Sequence, residues 1–149
     1  MFEGRYDHAL DAKGRTMVPK PFREHLEKMG DLHLRLTKGM GSPRRIEVRT
    51  NSSFDAYRKR LAQAPETALI RRWKQFYIQN SVRIELDTNG RLLVPARLRR
   101  WCDLGDKLSF VGLDEERFEL WRPEDFDLDD NSFTDDWETS RDQLAALGL

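Results

Sequence analysis

The chain contains one motif twice, and this internal repeat constrains the fold more than any other feature. Residues 11–15 read Asp-Ala-Lys-Gly-Arg, and residues 87–91 read Asp-Thr-Asn-Gly-Arg, 76 positions later. A Val-Pro pair follows each copy at residues 18–19 and 94–95, and a large apolar residue followed by arginine comes next in both. Because the spacing is the same in both copies, the chain is predicted to consist of two copies of one structural unit.

Each unit is predicted to form a strand, a tight turn, a second strand and a short helix. Apolar residues alternate with polar ones before each motif, which is the period of a half-buried strand. An Asp side chain bonds its own backbone two residues on, and Gly accepts a positive φ, so Asp11 with Gly14 and Asp87 with Gly90 are predicted to form the turns. A proline then ends the second strand of each unit, because proline cannot donate to a ladder.

The rest of the chain is predicted as follows. Short helices span residues 20–29 and 96–102, with Gly30 and Gly105 as their C-terminal signals. A second strand pair follows in each unit, at residues 32–36 with 46–48 and at residues 107–111 with 118–121. Two connecting helices begin at Ser52 or Ser53 and at Thr67, and the aromatic face of the second is predicted to be core.

The charge of the chain is divided between its two ends. The net charge is zero, yet residues 1–112 hold 23 Lys/Arg and 13 Asp/Glu, a net of +10, and residues 113–149 hold 3 and 13, a net of −10. This division indicates a polyanion-binding body with an acidic tail, or alternatively a solvated surface with a solubilising tail. The basic loop at residues 38–45 has the same two interpretations: contact with phosphate, or an ordinary solvated hairpin tip.

No residue pattern indicates catalysis or a bound cofactor, and no enzyme is predicted. His8, His25 and His33 lack the spacing of a zinc site, and no serine lies in a nucleophile-elbow pattern. The single cysteine, Cys102, is expected to be a small buried apolar residue, and it fits a reducing cytosol.

Nucleic-acid binding is better supported than catalysis. Since strands flank the turns, recognition is expected through a β-hairpin, and a two-stranded ribbon fits the major groove of DNA. The arginine fork matches guanine O6 and N7 or a phosphate, so Arg15 and Arg91 are the main candidates. The alternative role for both arginines is an ion pair with Asp11 or Asp87 that holds the turn in shape. The other candidate DNA-binding residues are Lys13, Asn89, Arg5, Lys20, Arg83 and Arg97.

The sequence resembles the MraZ family, bacterial proteins built from two AbrB/SpoVT-type units. The resemblance rests on Met1-Phe2-x-Gly4, on the runs at residues 10–23 and 86–98, on Phe76-Tyr77 and on residues 118–121, and it covers roughly residues 1–125. It implies an α+β fold in which duplicated swapped-hairpin β-barrel units form an intramolecular pseudo-dimer with short connecting helices. It also implies that the arginine face binds DNA.

The resemblance further implies a transcriptional regulator that assembles into a homo-oligomeric ring. Such a protein binds short direct repeats in double-stranded DNA upstream of the division and cell-wall gene cluster, which often includes its own gene. A cytoplasmic, nucleoid-associated location without a membrane segment is expected. The alternatives from other classes are an antitoxin-like or other protein-interaction module and an RNA-binding protein.

The predicted organisation has four parts. They are a first AbrB/SpoVT-like unit at residues 1–50, a helical connector at 51–79, a second unit at 80–124 and a weakly ordered acidic tail at 125–149.

Overall fold

The computed structural model describes residues 1–149 and has an α+β architecture, as the sequence predicts. The strands are β1 (Arg5–Ala9), β2 (Arg15–Met17), β3 (His33–Lys38), β4 (Ile46–Thr50), β5 (Val82–Glu85), β6 (Arg91–Leu93), β7 (Lys107–Gly112) and β8 (Arg117–Trp121). The helices are α1 (Lys20–Met29), α2 (Asn51–Gln63), α3 (Ala68–Tyr77), α4 (Ala96–Trp101), α5 (Pro123–Asp135) and α6 (Trp137–Ala146). No helix is both long and apolar enough to cross a membrane.

Six strands form one antiparallel sheet in the order β1-β7-β8-β4-β3-β5, and β2 and β6 form a separate two-stranded ribbon. The repeats exchange strands: β1 of the first pairs with β7 of the second, and β5 of the second pairs with β3 of the first. Equivalent strands also pair with each other, β4 with β8 and β2 with β6. If each element is replaced by its equivalent in the other repeat, the strand order reads the same backwards. The two repeats therefore occupy equivalent places in one shared sheet.

The main core lies between one face of the sheet and a layer made of the ribbon, α1 and α4. Phe22 and Leu26 of α1 and Leu98 of α4 pack against buried strand residues such as Leu36 and Phe110. Cys102 is 3% exposed at the end of this layer, so its prediction as a buried residue is confirmed. Burial raises the pKa of its thiol to about 12.

The opposite face of the sheet is covered by α2, α3 and α5. Tyr77 of α3 donates to the Glu47 carboxylate and accepts from Arg49 Nε at 2.8 Å, so a polar cluster joins the connector to β4. Burial raises the pKa of the Tyr77 hydroxyl, and the neighbouring Glu47 carboxylate adds to this shift. On the same face, Phe126 of α5 packs edge-on against Trp121 of β8, with ring centroids 5.3 Å apart.

Two local predictions differ from the structure, and the acidic segment adds a further observation. The cap of α2 is Thr50, whose hydroxyl accepts from Ser53 N, because the helix begins directly where β4 ends. Gly30 closes α1 in the left-handed region, as predicted, but α4 is followed by Asp103 at φ 53°, and Gly105 has no capping role. The acidic segment, for which composition predicts weak order, is helical over α5 and α6, although no residue of either helix is buried.

Candidate nucleic-acid interface

Each motif forms a turn in which the Asp side chain organises the backbone and then binds the arginine. In the first repeat, Asp11 Oδ1 accepts from the backbone N–H of Lys13 at 3.0 Å and of Arg15 at 2.8 Å. Asp11 Oδ2 accepts from Arg15 Nε at 2.9 Å. Gly14 has φ 87°, which only glycine adopts without strain, and its N–H donates to the Asp11 carbonyl.

The second repeat has the same arrangement. Asp87 Oδ1 accepts from the backbone N–H of Asn89 and of Arg91, both at 2.9 Å, and Asp87 Oδ2 accepts from Arg91 Nε at 2.8 Å. Gly90 has φ 79°. Two segments with different residues at two of their five positions therefore fold to one geometry, because the Asp, Gly and Arg determine it.

These contacts stabilise the charged form of both carboxyl groups. The backbone N–H of Arg15, together with its guanidinium, holds the pKa of the Asp11 carboxyl below its ordinary value. The backbone N–H and guanidinium of Arg91 do the same for Asp87. The ion pairs predicted as the structural role of the arginines are thus present. They use only Nε: neither arginine donates a hydrogen bond from Nη1 or Nη2 within the chain.

The ribbon presents both arginines on one face. Arg15 lies opposite Leu93 and Met17 lies opposite Arg91 in the antiparallel register. Thr16 and Leu92, which alternate with these four residues, are buried against the core. Arg15 and Arg91 are therefore diagonal neighbours on the outer face, about 8 Å apart from the strand rise and spacing. Their side chains are 37% and 33% exposed.

Met17 and Leu93 complete this outer face, and neither is among the candidate residues predicted from the sequence. They are 39% and 46% exposed. Apolar side chains of this kind make contacts with the thymine methyl group in a major groove. Period-two alternation from the buried Thr16 and Leu92 was the signal that would have identified them.

Two further arginines tie each turn to the opposite repeat. Arg23 Nε donates to the Val18 carbonyl and Arg99 Nε donates to the Val94 carbonyl, both at 3.0 Å. The Arg99 side chain lies against Gly14 of the first turn, and Arg23 lies against Gly90 of the second. Two backbone hydrogen bonds also join the repeats. Val94 N donates to the Gly14 carbonyl at 2.8 Å, and Val18 N donates to the Gly90 carbonyl at 3.1 Å. Both arginines belong to the repeated motif, which was the available signal, but their contacts across repeats were not predictable from spacing.

Four other candidates lie around the ribbon. Lys13 and Asn89 occupy equivalent exposed positions in the two turns. Lys20 is the first residue of α1 and pairs with Glu24 at 3.8 Å. Arg97 lies in the first turn of α4, where its Nη2 donates to Asn80 Oδ1 at 3.0 Å.

Arg5 and Arg83, in contrast, are not brought to the ribbon. Tyr6 packs on the core ring of Phe22, so its neighbour Arg5 points to the other face of the sheet. There the Arg5 guanidinium donates to Asp127 at 2.5 Å and lies 4.8 Å from the centroid of Phe126 in α5. Arg83 pairs in register with Arg35 of β3, next to the core residue Ile84, and has the same outward orientation as Arg5.

The basic loop after β3 is held in place by its own cations. Arg45 lies 4.0 Å above the ring centroid of Trp121 and donates twice to the Pro43 carbonyl. Arg44 donates to the Trp101 carbonyl at 3.2 Å and lies over the ring of that residue. These cations stack on aromatic rings, an attractive cation–π arrangement, and thereby fix the hairpin tip.

Comparison with known proteins adds to this geometry. A family model described as "MraZ protein, putative antitoxin-like" matches residues 1–76 and 78–143. A protein of Lachnoclostridium phytofermentans named transcriptional regulator MraZ is 30% identical over 149 residues, covering 100% of this chain and 99% of its own length.

Two further relatives carry the same name. The protein of Alkaliphilus oremlandii is 31% identical and covers 100% of both chains, and that of an Anaeromyxobacter species is 35% identical over 116 residues, 76% of this chain and 78% of its own. With a family model that spans both repeats and relatives that match from end to end, this chain belongs to the MraZ family.

Proposed function

We propose that this protein is a sequence-specific DNA-binding transcriptional regulator that places the β2–β6 ribbon in the major groove. The observation that carries the proposal is the outer face of the ribbon, where two arginines are oriented by aspartates and keep their terminal nitrogens unbonded. Asp11 and Asp87 each accept a hydrogen bond from the Nε of the neighbouring guanidinium. Its Nη1 and Nη2 remain free to donate to a base or a phosphate. The relatives named as transcriptional regulators support this assignment.

One subunit reads a short site. Arg15 and Arg91 are about 8 Å apart across the ribbon, which corresponds to two or three steps of about 3.4 Å along a DNA strand. Met17 and Leu93 lie directly opposite them and add apolar contacts to thymine methyl groups. So small a contact requires several subunits for tight binding, because the gain from each further contact is intramolecular once the first has formed.

The proposed unit type, ring assembly and DNA target follow from the resemblance to the MraZ family. The strand exchange supports two AbrB/SpoVT-type swapped-hairpin units that form an intramolecular pseudo-dimer, and residues 11–23 and 87–99 supply their DNA-binding faces. Several subunits assemble into a ring, and neighbours in a ring present the ribbon in one direction to direct repeats. The proposed target is the promoter region of the division and cell-wall gene cluster, with the protein acting in the cytoplasm at the nucleoid.

The test is a gel-shift series on DNA from upstream of the gene that encodes this protein, after footprinting has defined the repeat. Affinity should rise steeply from one to two to three direct repeats spaced by about one helical turn, roughly 10–10.5 bp. Insertion of about 5 bp between repeats should remove the gain, because the second site then faces away.

Two outcomes would contradict the proposal. Equal binding to one repeat and to an in-phase array, or preference for an inverted pair, would exclude the ring on direct repeats. Binding to a single-stranded RNA of the same sequence as tight as to the duplex would assign the ribbon to RNA instead.

A further inference from the structure

The connector helices form a basic surface with unpaired cations. Residues 51–79 hold six Lys/Arg and two Asp/Glu. Both acidic residues are already paired, Asp55 with Arg58 at 3.7 Å and Glu66 with Lys74 at 2.7 Å. Four exposed cations make no ion pair within the chain: Lys59, Arg60, Arg71 and Arg72.

A groove of about 400 Å³ runs between α2 and α3 on this basic surface. Its apolar floor is formed by Leu61, Ala62 and Ile78. Three cations line its edge: Arg58, Arg71 and Lys74. An apolar floor within a basic rim selects an acidic segment that carries large apolar side chains.

The C-terminal helices are such a segment. Residues 123–149 hold nine Asp/Glu and one Arg. Five carboxylates make no ion pair within the chain: Asp129, Asp130, Asp135, Asp136 and Glu138. Leu128, Phe133 and Trp137 are 65%, 52% and 45% exposed, and the last two rings meet edge-on at 6.0 Å. The helices thus combine negative charge with an apolar surface that no other element covers.

The two surfaces do not satisfy each other within one chain. No ion pair or side-chain hydrogen bond joins residues 123–149 to residues 51–79. The N-terminal part of α5 is instead fixed beside β1 and β8, through Asp127 with Arg5 and Phe126 with Trp121. The far end of α5 and the whole of α6 therefore project as an acidic arm, defined here as residues 128–146.

We propose that the acidic arm of one copy docks in the α2–α3 groove of a second copy of this chain. Phe133 and Trp137 contact the apolar floor, while carboxylates such as Asp135 and Asp136 pair with Arg71 and Arg72. The contact is heterologous, so each copy keeps one arm and one groove for further neighbours, and the copies build a closed ring or a filament. The inference specifies the contact that holds the proposed ring together, and it does not depend on DNA.

A charge-swap experiment tests this contact. Arg71→Glu/Arg72→Glu places glutamates opposite Asp135 and Asp136. Asp135→Lys/Asp136→Lys places lysines opposite Arg71 and Arg72, so each variant alone brings like charges together at this contact. In analytical ultracentrifugation at low salt, each variant should dissociate to the monomer at concentrations where the natural protein is oligomeric. An equimolar mixture of the two variants should reassemble. The natural arm of the groove variant meets the natural groove of the arm variant, and the two changed surfaces also carry opposite charges, so the two variants alternate along the assembly.

The control is Lys28→Glu/Lys107→Glu, which changes the net charge by the same amount as the groove variant but lies outside both surfaces. This variant should remain oligomeric. Circular dichroism of each variant establishes that the arm is still helical. For the natural protein, raising the salt from about 0.1 M to about 1 M should weaken assembly, since the Debye length falls from about 10 Å to about 3 Å.

Four results would overturn the inference. They are a monomeric natural protein, variants that stay assembled, a mixture that fails to reassemble, and intramolecular docking of the arm, seen as a salt-dependent compaction of the monomer. A protein that assembles as described but does not bind DNA would leave this contact intact and would contradict only the proposed function.

Discussion

Gly14 of the first repeat lies directly against Arg99 of the second. A Cβ at Gly14 would be 2.7 Å from Arg99 Nε and 2.7 Å from the Val94 carbonyl oxygen. The three atoms nearest the equivalent Cβ at Gly90 all belong to the flexible side chain of Arg23, the closest being Cδ at 2.7 Å. The two turns share one backbone geometry, but they differ in how closely the opposite repeat approaches.

We therefore expect Gly14→Ala to destabilise the fold more than Gly90→Ala does. Both substitutions place Ala at positive φ, which costs about 1–2 kcal/mol, but only Gly14→Ala must also displace a backbone carbonyl. Gly30→Ala is the matched control, because Gly30 has φ 70° and a Cβ added there would have no atom within 4 Å, so it carries the conformational cost alone. Denaturant unfolding should give the order Gly14, Gly90, Gly30, and equal effects at all three would show that the contact across repeats is unimportant.

A second prediction separates the bidentate hydrogen-bonding geometry of the Arg15 guanidinium from its positive charge. Arg15→Ala should weaken DNA binding by about 1–3 kcal/mol, the value of a bidentate base contact. Arg15→Lys keeps the charge but loses the fork, so it should recover non-specific binding while specificity stays low. Arg83→Ala, on the opposite face of the sheet, should leave affinity unchanged. If Arg15→Ala lowers Tm while the folded fraction binds normally, the arginine acts only within the turn.

A third prediction uses the one position at which the turns differ in charge. If Lys13 contacts a phosphate, Lys13→Ala should reduce the slope of log affinity against log salt by about 1. Asn89→Lys, which copies the first turn into the second, should increase that slope by about 1. Titration of each variant across a range of salt concentrations measures this, and unchanged slopes would assign both residues to base reading or to solvent.

The aspartates should make stability depend on acid pH. The pKa values of Asp11 and Asp87 are lower in the folded protein than the ordinary value of about 3.9. Their contribution is therefore fully present above about pH 4 and is lost as the pH falls through the folded-state values. Thermal melts should show that Asp11→Asn/Asp87→Asn is less stable than the natural protein at pH 7, and that the difference narrows near pH 3. A constant difference would mean that the charge of the aspartates is irrelevant.

Thr16 offers a substitution that should stabilise the protein. Its hydroxyl is the one buried side-chain polar atom without a hydrogen-bond partner, and the equivalent residue in the second repeat is the apolar Leu92. Thr16→Val keeps the shape and removes the unsatisfied group, so we expect a gain of about 1 kcal/mol in the free energy of unfolding. Thr37→Val is the contrasting variant, because Thr37 Oγ1 donates to the Tyr77 carbonyl at 2.5 Å, and this variant should destabilise.

The repeat made most of the secondary structure predictable, since turns and helices at residues 11–30 depend on local chemistry that recurs at residues 87–102. Strand partners were not predictable in the same way. Alternation shows which side of Tyr6 is buried, but it does not show that β1 lies beside β7. The same alternation would have excluded Arg5 from the ribbon, because Arg5 and the buried-side residue Tyr6 are adjacent.

The fixed hairpin tip depended on distant contacts, whereas the helix α5 did not. The loop cations Arg44 and Arg45 stack on Trp101 and Trp121, which are remote in sequence, so charge and flexibility alone gave no indication of a fixed hairpin tip. For α5 a local signal existed: Pro123 at the start of the helix with Glu124 and Asp125 in its first turn favours a helix, despite the acidic composition.

The exchange of strands has a consequence for synthesis on the ribosome. Strands β1 and β3 lack their neighbours, β7 and β5, until the second repeat has been made, so the first repeat cannot complete its sheet as it emerges. At about 5–20 residues per second, the interval between residues 50 and 121 lasts about 4–14 s. During this interval apolar strands with unpaired edges are available to other nascent chains of the same protein. Two chains that exchanged these strands with each other would form a dimer with the same strand pairing, so synthesis at low local concentration favours exchange within one chain.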